Sequence, residues 1–162
     1  MTFQQAFFPT WAISRIILHF IEAIYGTRPW KVYGDGKRVR GEQVETIDAE
    51  LRNAVETQKK GEHFNQRTTA SPAFDHDEVR FTTKGNNFFI IVMNPAGGKL
   101  PIPSLGMQSE LNPGRLKKLT QLYDQSKISF KQLEDKLIIN MPPVNGRSLP
   151  IVLKGEFKNT HF

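Results

Sequence analysis

The sequence predicts a mainly β protein: an antiparallel β-sandwich of about seven strands, preceded by an N-terminal amphipathic helix and a linker. Two observations carry the sandwich. From Val79 onward apolar and polar residues alternate with a period of two. Clusters of Gly, Pro, Asn and Asp then interrupt the pattern roughly every 8 to 12 residues, the rhythm of short strands in two packed sheets. A third observation carries the helix, because ahead of Tyr25 the apolar period is 3.6 rather than two.

Ile13, Ile16, Ile17, Phe20, Ile21 and Ile24 share one helical face, with Ser14, Arg15, His19 and Glu22 off the stripe. Thr10 is placed to cap the start and Gly26 to end the helix. Such a stripe must pack on something. It is not a membrane span, because Arg15, His19 and Glu22 interrupt a run that would need about 20 apolar residues. Nothing basic precedes it as a signal peptide needs, so the compartment stays open. Residues 1–9, with Phe3, Phe7 and Phe8, read as a separate beginning.

Between residues 37 and 78 the pattern weakens. Gly41 and Gly61 punctuate it, and Thr68-Thr69-Ala70-Ser71-Pro72-Ala73 is loop chemistry. Val44, Ile47, Leu51 and Val55 recur at spacings of three and four, which predicts a short helix over about 44–60.

The strands begin with Val79, Phe81 and Thr83 alternating with Arg80, Thr82 and Lys84. Gly85-Asn86-Asn87 follows as a tight turn, so a hairpin is expected. The next run, 88–93, is apolar on both faces and suits a central strand. Candidate strands at 100–105, 116–123, 128–133, 137–141 and 149–157 complete the set. Pro101, Pro103 and Pro150 cannot donate to a ladder, so their strands should be edges or begin there. In 116–123 the leucines Leu116, Leu119 and Leu122 sit three apart, a spacing equally compatible with a helical turn.

Composition excludes several classes. A chain of 162 residues cannot hold a (β/α)₈ barrel, which takes about 250. No cysteine is present, which removes disulfides and thiolate chemistry. The net charge of +6 is uneven: residues 1–78 hold 10 Lys/Arg against 11 Asp/Glu and residues 79–162 hold 12 against 5. Lys117, Lys118, Lys127, Lys131, Lys136 and Lys154 are nevertheless scattered along strands without interleaved aromatic residues, which describes a solvated sheet face and not a nucleic-acid platform.

Few residues qualify for chemistry. Asp35, between Gly34 and Gly36, reads as a turn aspartate. Asp75-His76-Asp77-Glu78 lies in a loop before a strand, where neighbours in sequence do not converge on a substrate or metal. His19, His63 and His161 share no ligand spacing with it or with each other. No catalytic residue, cofactor site or metal site is expected. Trp11, Trp30 and Tyr33 are aromatic residues able to stack on a sugar ring; Trp30 and Tyr33 are the candidates for glycan or domain-interface contacts, and Trp30, after Pro29, is also placed to bury its ring at a junction.

The segment Ala23-Ile24-Tyr25-Gly26-Thr27-Arg28-Pro29-Trp30-Lys31-Val32-Tyr33-Gly34-Asp35-Gly36 resembles the stretch that leaves the catalytic barrel in the α-L-fucosidases of glycoside hydrolase family 29. Asp77-Glu78-Val79-Arg80-Phe81-Thr82-Thr83-Lys84-Gly85-Asn86 resembles that family's passage into its C-terminal β-sandwich, and the likeness continues through Leu137-Ile138-Ile139-Asn140-Met141-Pro142 to Val152-Leu153-Lys154. The resemblance implies a strand for 116–123. It also implies three regions: 1–36, the helix and junction at the end of the barrel; 37–78, the linker; and 79–162, the sandwich.

Two function classes follow. The resemblance implies a C-terminal fragment of an α-L-fucosidase, an enzyme type that removes terminal α-L-fucose from glycans. This fragment lacks the barrel and both catalytic carboxylates, so it is expected to be inactive alone. Its implied partner is a catalytic barrel, with self-association through the apolar helix when that partner is missing. The alternative is a free-standing β-sandwich accessory module that binds glycan or protein. Neither reading calls for nucleic acid, a membrane or a cofactor.

Overall fold

The computed structural model describes residues 21–37, 39–40, 74–144 and 149–158. The helix expected over 44–60, most of the N-terminal helix, and Trp11, His19, His63 and His161 lie outside these residues.

Among the described residues eight strands form two antiparallel sheets. The larger has the order β1-β2-β3-β8-β5, built from β1 (Arg28–Asp35), β2 (Val79–Lys84), β3 (Asn87–Val92), β8 (Ile151–Phe157) and β5 (Leu116–Gln121). The smaller has the order β4-β7-β6, from β4 (Gly98–Ile102), β7 (Leu137–Met141) and β6 (Phe130–Gln132). The expected mainly β sandwich is present, with seven strands from Val79 onward and β1 as an eighth. Where the sequence reading places a junction, the chain forms β1, an edge strand paired with β2.

The β2–β3 hairpin closes through Gly85-Asn86, with Lys84 opposite Asn87. Gly85 has φ 57 and Asn86 is not in the positive-φ region, as in a type II′ loop, whose twist matches the flanking strands. β3 is central, between β2 and β8, and Phe88 to Val92 are all buried, as its two-faced apolar run requires.

The prolines sit where a missing donor does least harm. Pro29 is on edge strand β1, Pro101 on edge strand β4, and Pro150 directly precedes β8. Pro103 starts a 3-10 turn, Pro103–Leu105, so the candidate strand 100–105 ends at Ile102. The segment 116–123 is a strand through Gln121, with a register shift between Leu116 and Lys118.

The core lies between the sheets. Val79, Phe81, Phe88, Ile90, Val92 and Leu153 of the larger sheet meet Leu100, Ile102, Leu137, Ile139 and Met141 of the smaller. Each such side chain contributes about 1.5–3 kcal/mol by leaving water. Gln132 joins the sheets at one end: its Oε1 accepts from the Leu116 amide at 2.9 Å, and its Nε2 donates to the carbonyls of Leu105 and Gly114, both at 3.1 Å.

A second cluster, Ala23, Phe89, Ile91, Leu122 and Val152, occupies the opposite face of the larger sheet. It is where the end of the N-terminal helix, residues 21–24, rests. Gly26 terminates that helix at φ 70. Its last carbonyls are satisfied by threonines: Thr27 Oγ1 donates to the Ile24 carbonyl at 2.8 Å, and Thr82 Oγ1 of β2 donates to the Ala23 carbonyl at 2.6 Å. Lys154 Nζ of β8 lies 3.1 Å from Glu22 Oε1.

Candidate functional site

The buried carboxylates of Asp35 and Glu78 are the first place to look for chemistry, and both are occupied by the protein's own donors, whereas Asp75 Oδ2 is buried without a hydrogen-bond partner among the described residues. Asp35, at the end of β1, is 4% exposed. Its Oδ1 accepts from the Gly36 amide at 2.7 Å and pairs with Arg40 Nη1, while its Oδ2 accepts from the Ser104 amide at 2.9 Å. It thereby ties β1 and the turn after it to the 3-10 turn of the other layer. Glu78, just before β2, is 1% exposed; Oε1 accepts from Arg80 Nη2 at 2.7 Å and Oε2 from the Asp75 amide at 3.2 Å. Asp77 Oδ2 accepts from the Lys37 amide at 3.3 Å and lies 3.8 Å from Arg40 Nη2.

A glycosidase carboxylate must face its substrate, one as acid and one as nucleophile or base. Asp35 and Glu78 instead spend their lone pairs on backbone amides and guanidinium groups, which is how a buried charge is stabilised within a fold. Within Asp75-His76-Asp77, His76 Nδ1 pairs with the Asn94 carbonyl at 2.9 Å; a carbonyl only accepts, so Nδ1 carries the proton. Among the described residues no group of three His, Asp or Glu side chains is arranged to hold a metal ion, and no helix is long and apolar enough to cross a membrane.

The two aromatic candidates occupy different environments. Trp30 is 9% exposed and packs edge-on against Phe81 and Phe88, with centroids 5.6 and 5.0 Å away. Its ring belongs to the core between the sheets. Tyr33, three residues along β1, is exposed, and the Arg80 guanidinium lies 5.5 Å from its ring centroid and 5.7 Å from that of Phe74. Arg80 is therefore held by Glu78, by the Val79 carbonyl at 3.0 Å and by two aromatic rings. The structure does not bring Trp30 and Tyr33 to one surface.

Two of the cavities formed by described residues bear on these groups. One, about 110 Å³, is lined by His76, Asp77, Lys99 and Pro101 among others. The other, about 660 Å³, opens where β1 begins and β2 ends. Its wall includes Arg28, Lys31 and Lys84, with Pro29, Trp30, Thr83, Asn112 and Pro113. Sequence reasoning missed this cleft, because it is assembled from three segments with no shared motif.

No protein-family model and no curated protein matches the chain. Several solved structures do. A crystal structure of Thermotoga maritima α-fucosidase is 21% identical and aligns over 86% of this chain and 24% of its own, with a TM-score of 0.46. The same enzyme in complex with a mechanism-based inhibitor gives the same identity and coverage with a TM-score of 0.48. A further α-L-fucosidase structure is 27% identical over 49% of this chain and 17% of its own, with a TM-score of 0.39. The chain thus spans about a quarter or less of the length of the solved fucosidases it resembles.

Proposed function

We propose that this chain is the β-sandwich unit of an α-L-fucosidase-type protein, a unit that packs on a catalytic barrel and does not itself cleave glycosides. The observation that carries the reading is the way the N-terminal helix arrives. Ala23 is buried on the outer face of the larger sheet, and the Glu22–Lys154 pair and Thr82 fix the helix end there. Ile21, Ile24 and Tyr25 are left exposed. A helix anchored to the sandwich on one side and apolar on another is suited to continue into a second body. The motif resemblance in residues 23–36 and 77–86 supports reading that body as a fucosidase-type barrel. When no barrel is present, the same apolar residues favour a second copy of this chain.

The test is an aryl α-L-fucoside assay on the purified chain, followed by mixing with a fucosidase barrel produced without its own sandwich. The expected result is no turnover by the chain alone and co-elution with the barrel. Turnover that survives repurification and disappears on substitution of Asp35 or Glu78 would overturn the reading.

A second reading, an accessory module that binds glycan or protein directly, is favoured by one feature: the exposed Tyr33 and Phe74 rings, both packed near the Arg80 guanidinium. Tyr33→Ala would then abolish binding to a fucosylated glycan array while leaving the unfolding midpoint unchanged.

A further inference from the structure

We propose that the cleft between the start of β1 and the end of β2 binds an acidic saccharide, a sugar bearing a carboxylate or a sulfate ester, through Arg28, Lys31 and Lys84. This proposal stands apart from the fucosidase reading, because it uses neither the helix nor the outer sheet face.

Charge is the first argument. Three cations and no acid line this cavity. Five other described cations sit beside acids: Arg40 beside Asp35, Arg80 beside Glu78, Lys118 3.7 Å from Glu156, Lys136 2.8 Å from Asp135, and Lys154 beside Glu22. Arg28, Lys31 and Lys84 form no ion pair with a described residue. Like charges gathered around a concave wall repel one another, and an anion entering the cleft relieves that repulsion. Arg28 adds the planar fork that suits a carboxylate or sulfate.

Shape and the remaining lining select the class of anion. A volume of about 660 Å³ is in the range of small-ligand sites and larger than a bare inorganic ion needs. Pro29 and Pro113 offer apolar ring faces, and Thr83 and Asn112 offer a hydroxyl and an amide, a mixture that matches the CH faces and hydroxyl groups of a sugar. Nucleic acid fits poorly. A stacking platform needs an exposed ring face, whereas Trp30 is packed against Phe81 and Phe88 and only 9% exposed.

Arg28 and Pro29 pair with Thr83 and Thr82, and the β1–β2 register shifts just beyond them, between Pro29 and Gly34, so Lys31 lies in the irregular part of the ladder. Among the described residues a Cβ at Gly85 would meet nothing within 4 Å, and one at Gly26 would meet the Lys84 side chain, with Nζ 3.6 Å away. The Thr83 hydroxyl reaches the Arg28 carbonyl at 3.4 Å and not its guanidinium, so neutralising that side chain leaves the contact intact.

The experiment titrates the 162-residue chain by calorimetry with a hexuronate-containing disaccharide, a sulfated disaccharide, a neutral disaccharide of the same linkage and a short single-stranded oligonucleotide. At least one acidic disaccharide should bind about tenfold more tightly than the neutral one, and the stronger arm tells carboxylate from sulfate. The triple variant Arg28→Gln, Lys31→Gln, Lys84→Gln should weaken that binding by about tenfold or more, while Lys117→Gln, Lys127→Gln, Lys131→Gln, with the same change in net charge at exposed positions, should leave it within about twofold. Equal losses in the two triples would show general electrostatic attraction and overturn the proposal, as would tighter binding of the oligonucleotide or no binding of either acidic sugar. Should the first triple lower the unfolding midpoint, the exposed single variant Lys31→Gln decides: a loss of about threefold supports the site and an unchanged affinity rejects it.

Discussion

Trp30 meets Phe88 edge to face, with ring centroids 5.0 Å apart and planes at 85°. The contact joins edge strand β1 to central strand β3 across the intervening β2, since Phe81 of β2 packs against both rings. A large aromatic residue buried to this degree is part of the core, so Trp30→Ala should lower stability by about 3–5 kcal/mol. Trp30→Phe, which keeps an aromatic edge but loses volume, should lose less. Denaturant midpoints on the pair measure this; an unchanged midpoint for Trp30→Ala would mean that β1 is not docked.

Asp35 should behave as a structural acceptor. Asp35→Ala leaves the Ser104 and Gly36 amides without their acceptor and Arg40 without its partner, in a place water reaches poorly. The expected loss is about 1.5–3 kcal/mol, the scale of a hydrogen bond to a charged group, held below full burial values because Arg40 is about one-third exposed. Asp35→Asn should also destabilise, since its NH₂ group would face an amide donor. Unchanged thermal unfolding in both variants would refute the assignment.

Asp124 gives the fold a small acid-side dependence. Burial would raise its pKa, but hydrogen bonds from the Ser126 hydroxyl and amide, the latter at 2.9 Å, outweigh it and hold the carboxyl below its ordinary value. A carboxylate with a lowered folded-state pKa contributes stability that is present above its unfolded pKa and is lost as pH falls through the folded value. Asp124→Asn should therefore flatten the stability curve on the acid side of about pH 4 and leave its neutral-pH shape unchanged. Parallel curves for the two proteins below that point would reject this linkage.

Alternation was legible wherever a strand met regular neighbours. β2 and β7 span the residues the period predicts, and the two apolar faces of β3 are distributed between two clusters, Phe88, Ile90 and Val92 on one side and Phe89 and Ile91 on the other. The three-residue spacing of Leu116, Leu119 and Leu122 has a local cause. The register shift between Leu116 and Lys118 lets Leu116 and Leu119 both enter the main core, and Leu122 passes to the second cluster. β1 was not legible, because its partner β2 lies 44 residues beyond its end and its own shift breaks the period: Trp30 is buried, Tyr33 exposed, and Gly34 and Asp35 both buried. The carboxylate contacts and the basic cleft were hidden for the same reason. Ser104 reaches Asp35 across 69 positions, and the cleft draws on residues 26–31, 83–85 and 112–113.

The folding unit should therefore include β1 and not begin at β2. Arg28 and Pro29 pair with Thr83 and Thr82, and Gly34 and Asp35 with Arg80 and Val79, so removing β1 strips the ladder from one side of β2. It also withdraws Trp30 from Phe81 and Phe88 and leaves Ser104 without the Asp35 carboxylate. A bare apolar edge of this kind invites pairing with another chain. A chain of residues 74–158 should thus unfold at lower denaturant than the 162-residue protein and self-associate, and a separate peptide of residues 21–40 should bind it and raise the midpoint by mass action. Trp30→Ala in that peptide should weaken binding, which ties the rescue to the ring and not to the helix end. If residues 74–158 alone match the full chain in midpoint and remain monomeric, β1 is an accessory strand and the unit begins at β2.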